Sequence, residues 1–414
     1  MKFTLFYLIF LLFGLKSYSQ ITDYPLEVKV PSFVDTSKNV IEHYGDANLD
    51  KLYNVLTDFI TNGTGSYNIV HFGGSHIQAA IYTEQFKKRL NENFYDIVRS
   101  VGYVFPFEIA QTNHPVFYKS NYSGTWEFCK NVKKKQECVL GMGGISATTT
   151  DSFATIEIYP RLNNKIFSFD KVTVLYDVNK RAKYKVIING KEKKLDSLGM
   201  LKLRFDTLQD TLKFILIRDD SFSGFFRLYG FILDKDSEGI MYSTIGINGA
   251  ATFSFLKCER FAMELKEINP DLVILSLGTN DGYGKGYSDS VYYSNLDSLI
   301  KIVKSANNNC QILITVPNDD YYKRRYPNKN TAKQEKTIIK LAKDRNVLVW
   351  NLYRIMGGFG SSKIWYSLGL MKYDKIHFTP TGYRLKGDLF FSAFMKGYDK
   401  YLQKSVNFTF NGKF

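Results

Sequence analysis

Four separated clusters of polar residues and glycines carry the side chains of this sequence that could do chemistry. Gly73-Gly74-Ser75-His76 directly follows an apolar stretch that has the character of a buried strand. The others lie around Gly249, at Gly278-Thr279-Asn280-Asp281, and at the pair Asp374 and His377. A serine hydroxyl becomes a useful nucleophile only when a base removes its proton, and His377 is the candidate base. Each cluster alone also has an ordinary interpretation as a turn, a loop or a helix cap.

Each cluster comes directly after a predicted strand or lies in a loop between predicted elements. Residues 67–72 are predicted to be a strand. The segment "DLVILSLG", which begins at Asp271, is a continuous apolar run, as expected for a parallel strand covered on both faces. Helical spacing of apolar residues predicts helices over 49–62, 331–345 and 381–402. Alternating strands and helices indicate an α/β fold with a parallel sheet, whose strands carry active sites beyond their carboxyl ends.

The middle of the chain has a different pattern. Leu201, Leu203 and Phe205 alternate with charged residues, which is typical of a half-buried antiparallel strand. Asn189-Gly190 is a strong hairpin turn between two such strands. Several short strands at this spacing predict a β-sandwich that interrupts the α/β pattern.

The domain boundaries follow from these changes of pattern. We expect the first part of the α/β domain at 20–111, an inserted β-sandwich at 112–238 and the second part at 239–414.

The first nineteen residues are predicted to be a secretory signal peptide. Lys2 is followed by an apolar run from Phe3 to Leu15 and by the small residues around Ser19, with cleavage expected before Gln20. The alternative is an uncleaved anchor, although the run is short for a membrane span. We therefore expect a periplasmic or extracellular protein without stable membrane insertion after the signal is removed.

Disulfides are permitted in that compartment, and the chain has four cysteines. Cys129 and Cys138 flank a lysine-rich stretch that is typical of a hairpin loop, so a local disulfide is plausible, although the sequence does not fix the pairing. Cys258 and Cys310 lie in apolar contexts that are typical of buried thiols.

The formal net charge of +15 is scattered along the chain, apart from "KNVKKKQE" at Lys130–Glu137. Such a surface favours an anionic polymer, whereas no nucleic-acid-binding module is recognisable, so we expect no nucleic-acid partner. The other histidines are scattered, and we interpret them as structural. No cluster has metal-ligand spacing, so we expect no metal.

Taken in order, the four clusters resemble the four blocks of the SGNH (GDSL-type) hydrolase family. The resemblance implies a three-layer α/β/α, flavodoxin-like fold and a reaction without a cofactor. It implies that Ser75 is the nucleophile, His377 the base and Asp374 the partner that fixes the base's tautomer. It also implies that Gly249 and Asn280 donate hydrogen bonds in the oxyanion hole, together with the N–H of Ser75.

One position departs from the family pattern. Gly74 stands where the family usually has an aspartate, whose carboxylate is expected to brace the nucleophile loop. The triad is intact without it, but a catalytically weak glycan-binding protein remains an alternative.

The inserted β-region makes the sequence look like the bacterial peptidoglycan O-acetylesterases, whose inserted module resembles a carbohydrate-binding domain. That resemblance implies hydrolysis of O-acetyl esters on a polysaccharide, with peptidoglycan preferred, through an acetyl-serine intermediate. A polysaccharide O-acetyltransferase that uses the same triad is the other alternative.

Several aromatic residues could stack on sugar rings, although aromatic side chains more often belong to the core. They are Trp126, Tyr321, Tyr322 and Trp365. Tyr321 and Tyr322 lie in the loop "PNDDYYKRRYPN", which falls where a substrate loop is expected, so they are the candidate substrate-binding residues.

Overall fold

The computed structural model describes residues 29–134, 138–161, 165–179, 183–197, 199–218, 224–283 and 286–411, with side chains to residue 404. The predicted signal peptide lies outside these residues, as does part of the lysine-rich stretch. Among the described helices, none is both long and apolar enough to cross a membrane.

A seven-stranded sheet forms the centre of the α/β part. Its strands in spatial order are β1 (Ile41–Glu42), β20 (Leu348–Asn351), β17 (Gln311–Val316), β16 (Leu272–Ser276), β2 (Ser66–Gly73), β15 (Gly239–Gly246) and β3 (Val98–Ser100). All neighbours are parallel except the edge strand β1, which runs antiparallel to β20. The carboxyl ends of the inner strands therefore meet at one edge of the sheet, as the sequence pattern predicts.

Helices cover both faces of this sheet. They are α1 (Asp50–Asn62), α2 (Ser75–Gln78), α3 (Ile81–Asn93), α4 (Thr252–Leu256), α5 (Phe261–Ile268), α6 (Thr279–Gly282), α7 (Asp289–Ala306), α8 (Asn330–Arg345), α9 (Leu352–Ile355), α10 (Ser361–Ser367) and α11 (Pro380–Asn411). Successive strand residues point to opposite faces: Ile69 belongs to the core beneath α1, α3 and α11, whereas Val70 belongs to the core beneath α5, α7 and α8. The result is the three-layer α/β/α arrangement, which confirms the predicted fold class.

Two antiparallel sheets and a short hairpin contain the remaining strands. The five-stranded sheet has the order β11 (Lys191–Lys194), β10 (Tyr184–Ile188), β13 (Leu212–Arg218), β8 (Phe153–Pro160) and β5 (Tyr118–Ser123). The six-stranded sheet contains β12 (Met200–Gln209), β9 (Phe169–Val178), β14 (Phe226–Asp234), β7 (Ile145–Thr149) and β6 (Glu127–Lys130), with β4 (Gly102–Val104) paired to β14. The hairpin pairs β18 (Tyr321–Tyr322) with β19 (Tyr326–Pro327).

The two antiparallel sheets pack face to face. Phe214 of β13 contacts Phe226 and Phe231 of β14, with ring centroids 5.7 and 5.5 Å apart. Along β12, Leu203 and Phe205 are buried while the charged residues between and beside them are exposed, as their alternation predicts. This sandwich shares one continuous apolar core with the α5, α7 and α8 face of the parallel sheet.

The disulfide joins Cys129, in β6, to Cys138. Cys258 and Cys310 are free and buried.

Candidate active site

Ser75 stands just beyond the carboxyl end of β2, as the first residue of α2. The turn requires a glycine at position 73, because a Cβ there would lie 2.2 Å from Cγ1 of Ile77 and 2.9 Å from the Ser276 carbonyl oxygen. At the start of a helix the N–H of Ser75 has no intrahelical acceptor, so it is available to a ligand. The strand end thus presents a hydroxyl and an unpaired N–H together.

His377 and Asp374 meet Ser75 from a distant segment, between α10 and α11. The Ser75 hydroxyl oxygen lies 2.8 Å from Nε2 of His377, and Nδ1 of His377 lies 2.8 Å from Oδ2 of Asp374. Residues 302 positions apart therefore form one hydrogen-bonded chain from hydroxyl to imidazole to carboxylate.

The protonation of this chain follows from the contacts of Asp374. Partial burial acts to raise its pKa, but the hydrogen bonds from the His377 ring and from the backbone N–H groups of His377 and Ile376 outweigh burial and hold the pKa well below its usual range. An ionised carboxylate only accepts hydrogen bonds, so Nδ1 of His377 carries the proton and donates it to Asp374. Nε2 then has a free lone pair for the Ser75 hydroxyl proton.

The segment that carries Asp374 and His377 is positioned by a hydrogen bond from a neighbouring loop and by a bend in its own backbone. Asn318, which is buried after β17, donates from its amide to the Ile376 carbonyl oxygen at 3.2 Å. Lys375 has a positive φ of 53°, and this local bend turns the N–H groups of the next two residues towards the Asp374 carboxylate. The positions of both catalytic candidates on this segment thus depend on its backbone conformation.

Gly249 and Asn280 lie beside Ser75 at the ends of β15 and β16. Gly249 is exposed and has φ +83°, which a residue with a side chain adopts at a cost. Asn280 is exposed and uses one N–H of its amide to donate to the Ala250 carbonyl oxygen at 2.9 Å, which leaves the other N–H for a ligand. The Asn280 amide is close to the nucleophile turn, since its Nδ2 lies 3.1 Å from the position that a Cβ on Gly74 would take.

Comparison with known proteins agrees with this geometry. Residues 219–385 match the model of the GDSL-like Lipase/Acylhydrolase family, a segment that holds Gly249, Asn280, Asp374 and His377 but begins after Ser75. A solved structure of a peptidoglycan O-acetylesterase covers 87% of this chain and 99% of its own, at 18% sequence identity and a TM-score of 0.74. This segment is therefore similar to the GDSL-like Lipase/Acylhydrolase family, and the chain shares its fold with the solved O-acetylesterase.

Two other comparisons add no evidence about the fold or the function. A lipase/acylhydrolase from Enterococcus faecalis covers 37% of this chain and 75% of its own, at 21% identity and a TM-score of 0.31. Among curated proteins, none matches the sequence. The likeness to the O-acetylesterase shows the fold over 87% of this chain.

Gly74 occupies the position where SGNH hydrolases usually have an aspartate. A Cβ at this residue would lie 3.1 Å from Nδ2 of Asn280 and 3.3 Å from the Ala250 carbonyl oxygen. A side chain would therefore crowd the hydrogen bond that orients Asn280. The glycine leaves that bond undisturbed.

Two polar residues to which the sequence reasoning assigned no role, the buried Gln78 and the partly buried Asp281, connect the loops of the site. Gln78 accepts from the Asn248 N–H at 2.6 Å and donates to the Asn113 carbonyl oxygen at 2.6 Å, so it ties α2 to the Gly249 loop and to the chain entering the sandwich. Asp281 accepts from the backbone N–H of Thr252 at 3.0 Å. Burial raises the pKa of Asp281, against the hydrogen bonds from Thr252.

Both residues stand next to predicted site residues, since Gln78 is three positions after Ser75 and Asp281 follows Asn280. Their proximity in sequence was the available signal, but their partners belong to other strands and are visible only in the structure.

The aromatic candidates for sugar binding divide into two groups. Trp365 is fully buried and donates to the Met356 carbonyl oxygen, so it offers no ring face to a sugar. Trp126 is half-buried, with its ring in edge-on contact with Phe226. Tyr321 is also buried, with 7% of its surface exposed, beneath the loop that carries Lys375. Tyr322 is half-buried against Tyr283.

His76, which we interpreted as structural, packs beside the base. Its ring centroid lies 5.2 Å from that of His377, and its Nδ1 lies 2.9 Å from the Tyr383 hydroxyl. Burial lowers the pKa of His76 well below its usual value, so the ring is neutral. Among the described residues, no group of three or more His, Cys, Asp or Glu side chains is placed to hold a metal ion.

Proposed function

We propose that this protein is an SGNH-type serine hydrolase that removes O-acetyl groups from a polysaccharide outside the cytoplasm, with peptidoglycan as the preferred substrate. The observation that carries the proposal is the continuous chain from Ser75 through His377 to Asp374, with both links at 2.8 Å. Ser75 is the nucleophile, His377 the general base and Asp374 the group that orients it.

Acylation begins when the Ser75 hydroxyl oxygen attacks the acetyl carbonyl carbon while Nε2 of His377 takes the hydroxyl proton. Negative charge develops on the former carbonyl oxygen, which receives hydrogen bonds from the N–H groups of Ser75 and Gly249 and from the Asn280 amide. Protonated His377 then gives its proton to the sugar oxygen as the bond to the acetyl carbon breaks. The sugar leaves as an alcohol, and the acetyl group stays on Ser75.

Deacylation repeats these steps with water. His377 takes a proton from a water molecule that attacks the acetyl-serine carbonyl, and the same donors bind the oxygen that becomes negative. Collapse of the intermediate breaks the bond to Ser75, which recovers its proton from His377, and acetate is released.

Two observations support a polymeric substrate. The side chains of His377 and Asp374 are 33% and 28% exposed, so the reacting groups lie at an open surface that a glycan chain can reach. The match over 99% of a peptidoglycan O-acetylesterase includes the inserted sandwich, which supports a glycan as the partner.

Secretion is part of the proposal. The predicted signal peptide at 1–19 motivates it, and the Cys129–Cys138 disulfide is suited to an oxidising compartment.

The test is acetate release from acetylated peptidoglycan, xylan and pectin, compared with p-nitrophenyl acetate. We expect the wild type to release acetate, with peptidoglycan the best polymer, and Ser75→Ala and His377→Ala each to lose several orders of magnitude in turnover with little loss of stability. Equal turnover by wild type and Ser75→Ala would refute the mechanism. Faster transfer of acetyl to an added glycan than to water would identify a transferase instead.

A further inference from the structure

Two basic surfaces flank the candidate active site, and both lie directly against its loops. The aromatic–basic rim consists of Tyr321–Tyr326, Tyr366, Lys372, Tyr373 and Lys375. The disulfide-loop rim consists of Lys130, Lys133, Lys134 and Lys257.

The aromatic–basic rim is continuous with the segment that carries Asp374 and His377. Nζ of Lys375 lies 5.1 Å from the Tyr321 ring centroid, 5.2 Å from that of Tyr366 and 5.4 Å from that of Tyr373. It also donates to the Arg324 carbonyl oxygen at 3.0 Å. These contacts fix the rim in position beside the catalytic base.

The outer part of this rim is exposed and carries ring faces as well as charge. Tyr373, Tyr326 and Tyr366 are 64%, 53% and 38% exposed. Lys323 and Arg325 stack on the neighbouring rings of Tyr322 and Tyr326, at 5.5 Å from each centroid. Exposed tyrosine rings combine a flat apolar face with a hydroxyl, which suits a sugar.

The disulfide-loop rim reaches the other side of the site. The loop closed by Cys129 and Cys138 places Cγ1 of Val132 3.8 Å from the position that a Cβ on Gly249 would take. Lys257, on the far side of the Gly249 loop, donates to the Lys133 carbonyl oxygen at 2.9 Å. The inserted sandwich thus contributes basic residues next to the oxyanion hole.

Among the residues that the structure describes, no cation of the two rims lies in an ion pair with a carboxylate. Three acidic residues of the same segments are turned away from the rim: Asp374 binds His377, Asp319 is buried and accepts from Ser362, and Asp320 is buried. A row of unpaired positive charge on each side of a reaction centre attracts a polyanion.

We propose that the acetylated polymer is anionic and crosses the site between the aromatic–basic rim and the disulfide-loop rim, which bind its carboxylates on both sides of the reacting ester. This inference rests on the proposed function and adds that the substrate is negatively charged. Peptidoglycan fits, because its stem peptides carry carboxylates.

The test compares acetylated peptidoglycan with the same material after amidation of its carboxylates. The rim variants are Lys323→Gln/Arg325→Gln and Lys133→Gln/Lys134→Gln, and the matched control is Lys193→Gln/Lys194→Gln, which removes the same charge from β11 at the edge of the five-stranded sheet. We expect wild-type kcat/KM to be about tenfold higher for the carboxylate form and to fall with added salt. Each rim variant is expected to lose several-fold of that preference, mainly through KM, while the control retains it.

The outcomes separate the two proposals. No acetate from either form of peptidoglycan would refute the proposed substrate, and this inference with it. Equal hydrolysis of both forms, or an equal loss in the control and the rim variants, would overturn the anionic-polymer inference and leave the esterase standing. Melting temperatures of all variants check that the changes act on binding and not on folding.

Discussion

The contacts of Asp374 make Asp374→Asn a sharp test of the triad. Oδ1 of Asp374 accepts from the N–H groups of Ile376 and His377, both at 2.9 Å, and Oδ2 accepts from the His377 ring at 2.8 Å. An asparagine keeps two of these three bonds only if its carbonyl oxygen faces the backbone N–H groups. The opposite orientation would place its NH₂ against two donors, so the backbone fixes the NH₂ towards Nδ1.

In that orientation His377 must present a lone pair at Nδ1 and carry its proton on Nε2. Nε2 then donates to Ser75 and cannot take the hydroxyl proton, so general-base catalysis is lost. From serine triads of the same design we expect kcat to fall by about 10⁴, equivalent to about 5.5 kcal/mol in the activation barrier.

The assay is steady-state p-nitrophenyl acetate hydrolysis together with thermal unfolding. We expect the melting temperature of Asp374→Asn to stay close to that of the wild type, because both backbone hydrogen bonds remain. Asp374→Ala is the comparison that removes all three bonds, and it should be less stable as well as inactive. A kcat for Asp374→Asn within tenfold of the wild type would refute the reasoning about the tautomer.

Three further changes test other parts of the structure. Asn280→Ala removes an exposed oxyanion donor, so we expect kcat to fall by roughly 100- to 1,000-fold while stability is unchanged; a purely KM effect would contradict this role. Gln78→Leu leaves the Asn248 N–H without its acceptor, so we expect a loss of roughly 1–3 kcal/mol in unfolding free energy and a lower kcat, and an unchanged melting temperature would count against it. Lys386 is buried with Nζ 4.1 Å from the Tyr82 ring centroid, and burial lowers its pKa from 10.5 to about 7. Between pH 10.5 and about pH 7 the unfolded state therefore binds more protons than the folded state, so the free energy of unfolding falls as the pH falls through this window. The loss is complete below about pH 7. Lys386→Met should thus stabilise the fold by about 5 kcal/mol at about pH 6 and by about 2 kcal/mol at about pH 9, measured by urea unfolding; a gain that does not change with pH would contradict the burial argument.

The sequence pattern predicted the architecture because both strand types leave strong local signals. Continuous apolar runs such as Leu272–Ser276 became inner parallel strands, and the alternation around Leu203 and Phe205 became a half-buried antiparallel strand. The order of the four clusters predicted a resemblance to the SGNH hydrolases, and the family model matches residues 219–385. The pattern did not show where the chain first joins the sandwich. The sandwich was predicted to begin at residue 112, but strand β4 (Gly102–Val104) already pairs with β14.

The sequence identified residues of the site only where residue type and position were distinctive. Ser75 and His377 follow from chemistry and order, but their 2.8 Å contact depends on the register of the parallel sheet and on the loop after α10. The supporting contacts of Gln78 and Asn318 are long-range hydrogen bonds from ordinary polar residues, which no local pattern marks. The burial of Trp365 shows the same limit, because residue type alone does not distinguish a core ring from a binding surface.

The central claim is that the Ser75 hydroxyl attacks the acetyl carbonyl and carries the acetyl group between two half-reactions. The most direct measurement is mass spectrometry of enzyme quenched with acid during p-nitrophenyl acetate turnover. We expect one added acetyl group on the peptide that contains Ser75, accumulating in the wild type and absent from Ser75→Ala. Steady acetate release with no acetylated Ser75 at any time point, or an acetyl group on another residue that turns over at the rate of hydrolysis, would contradict it.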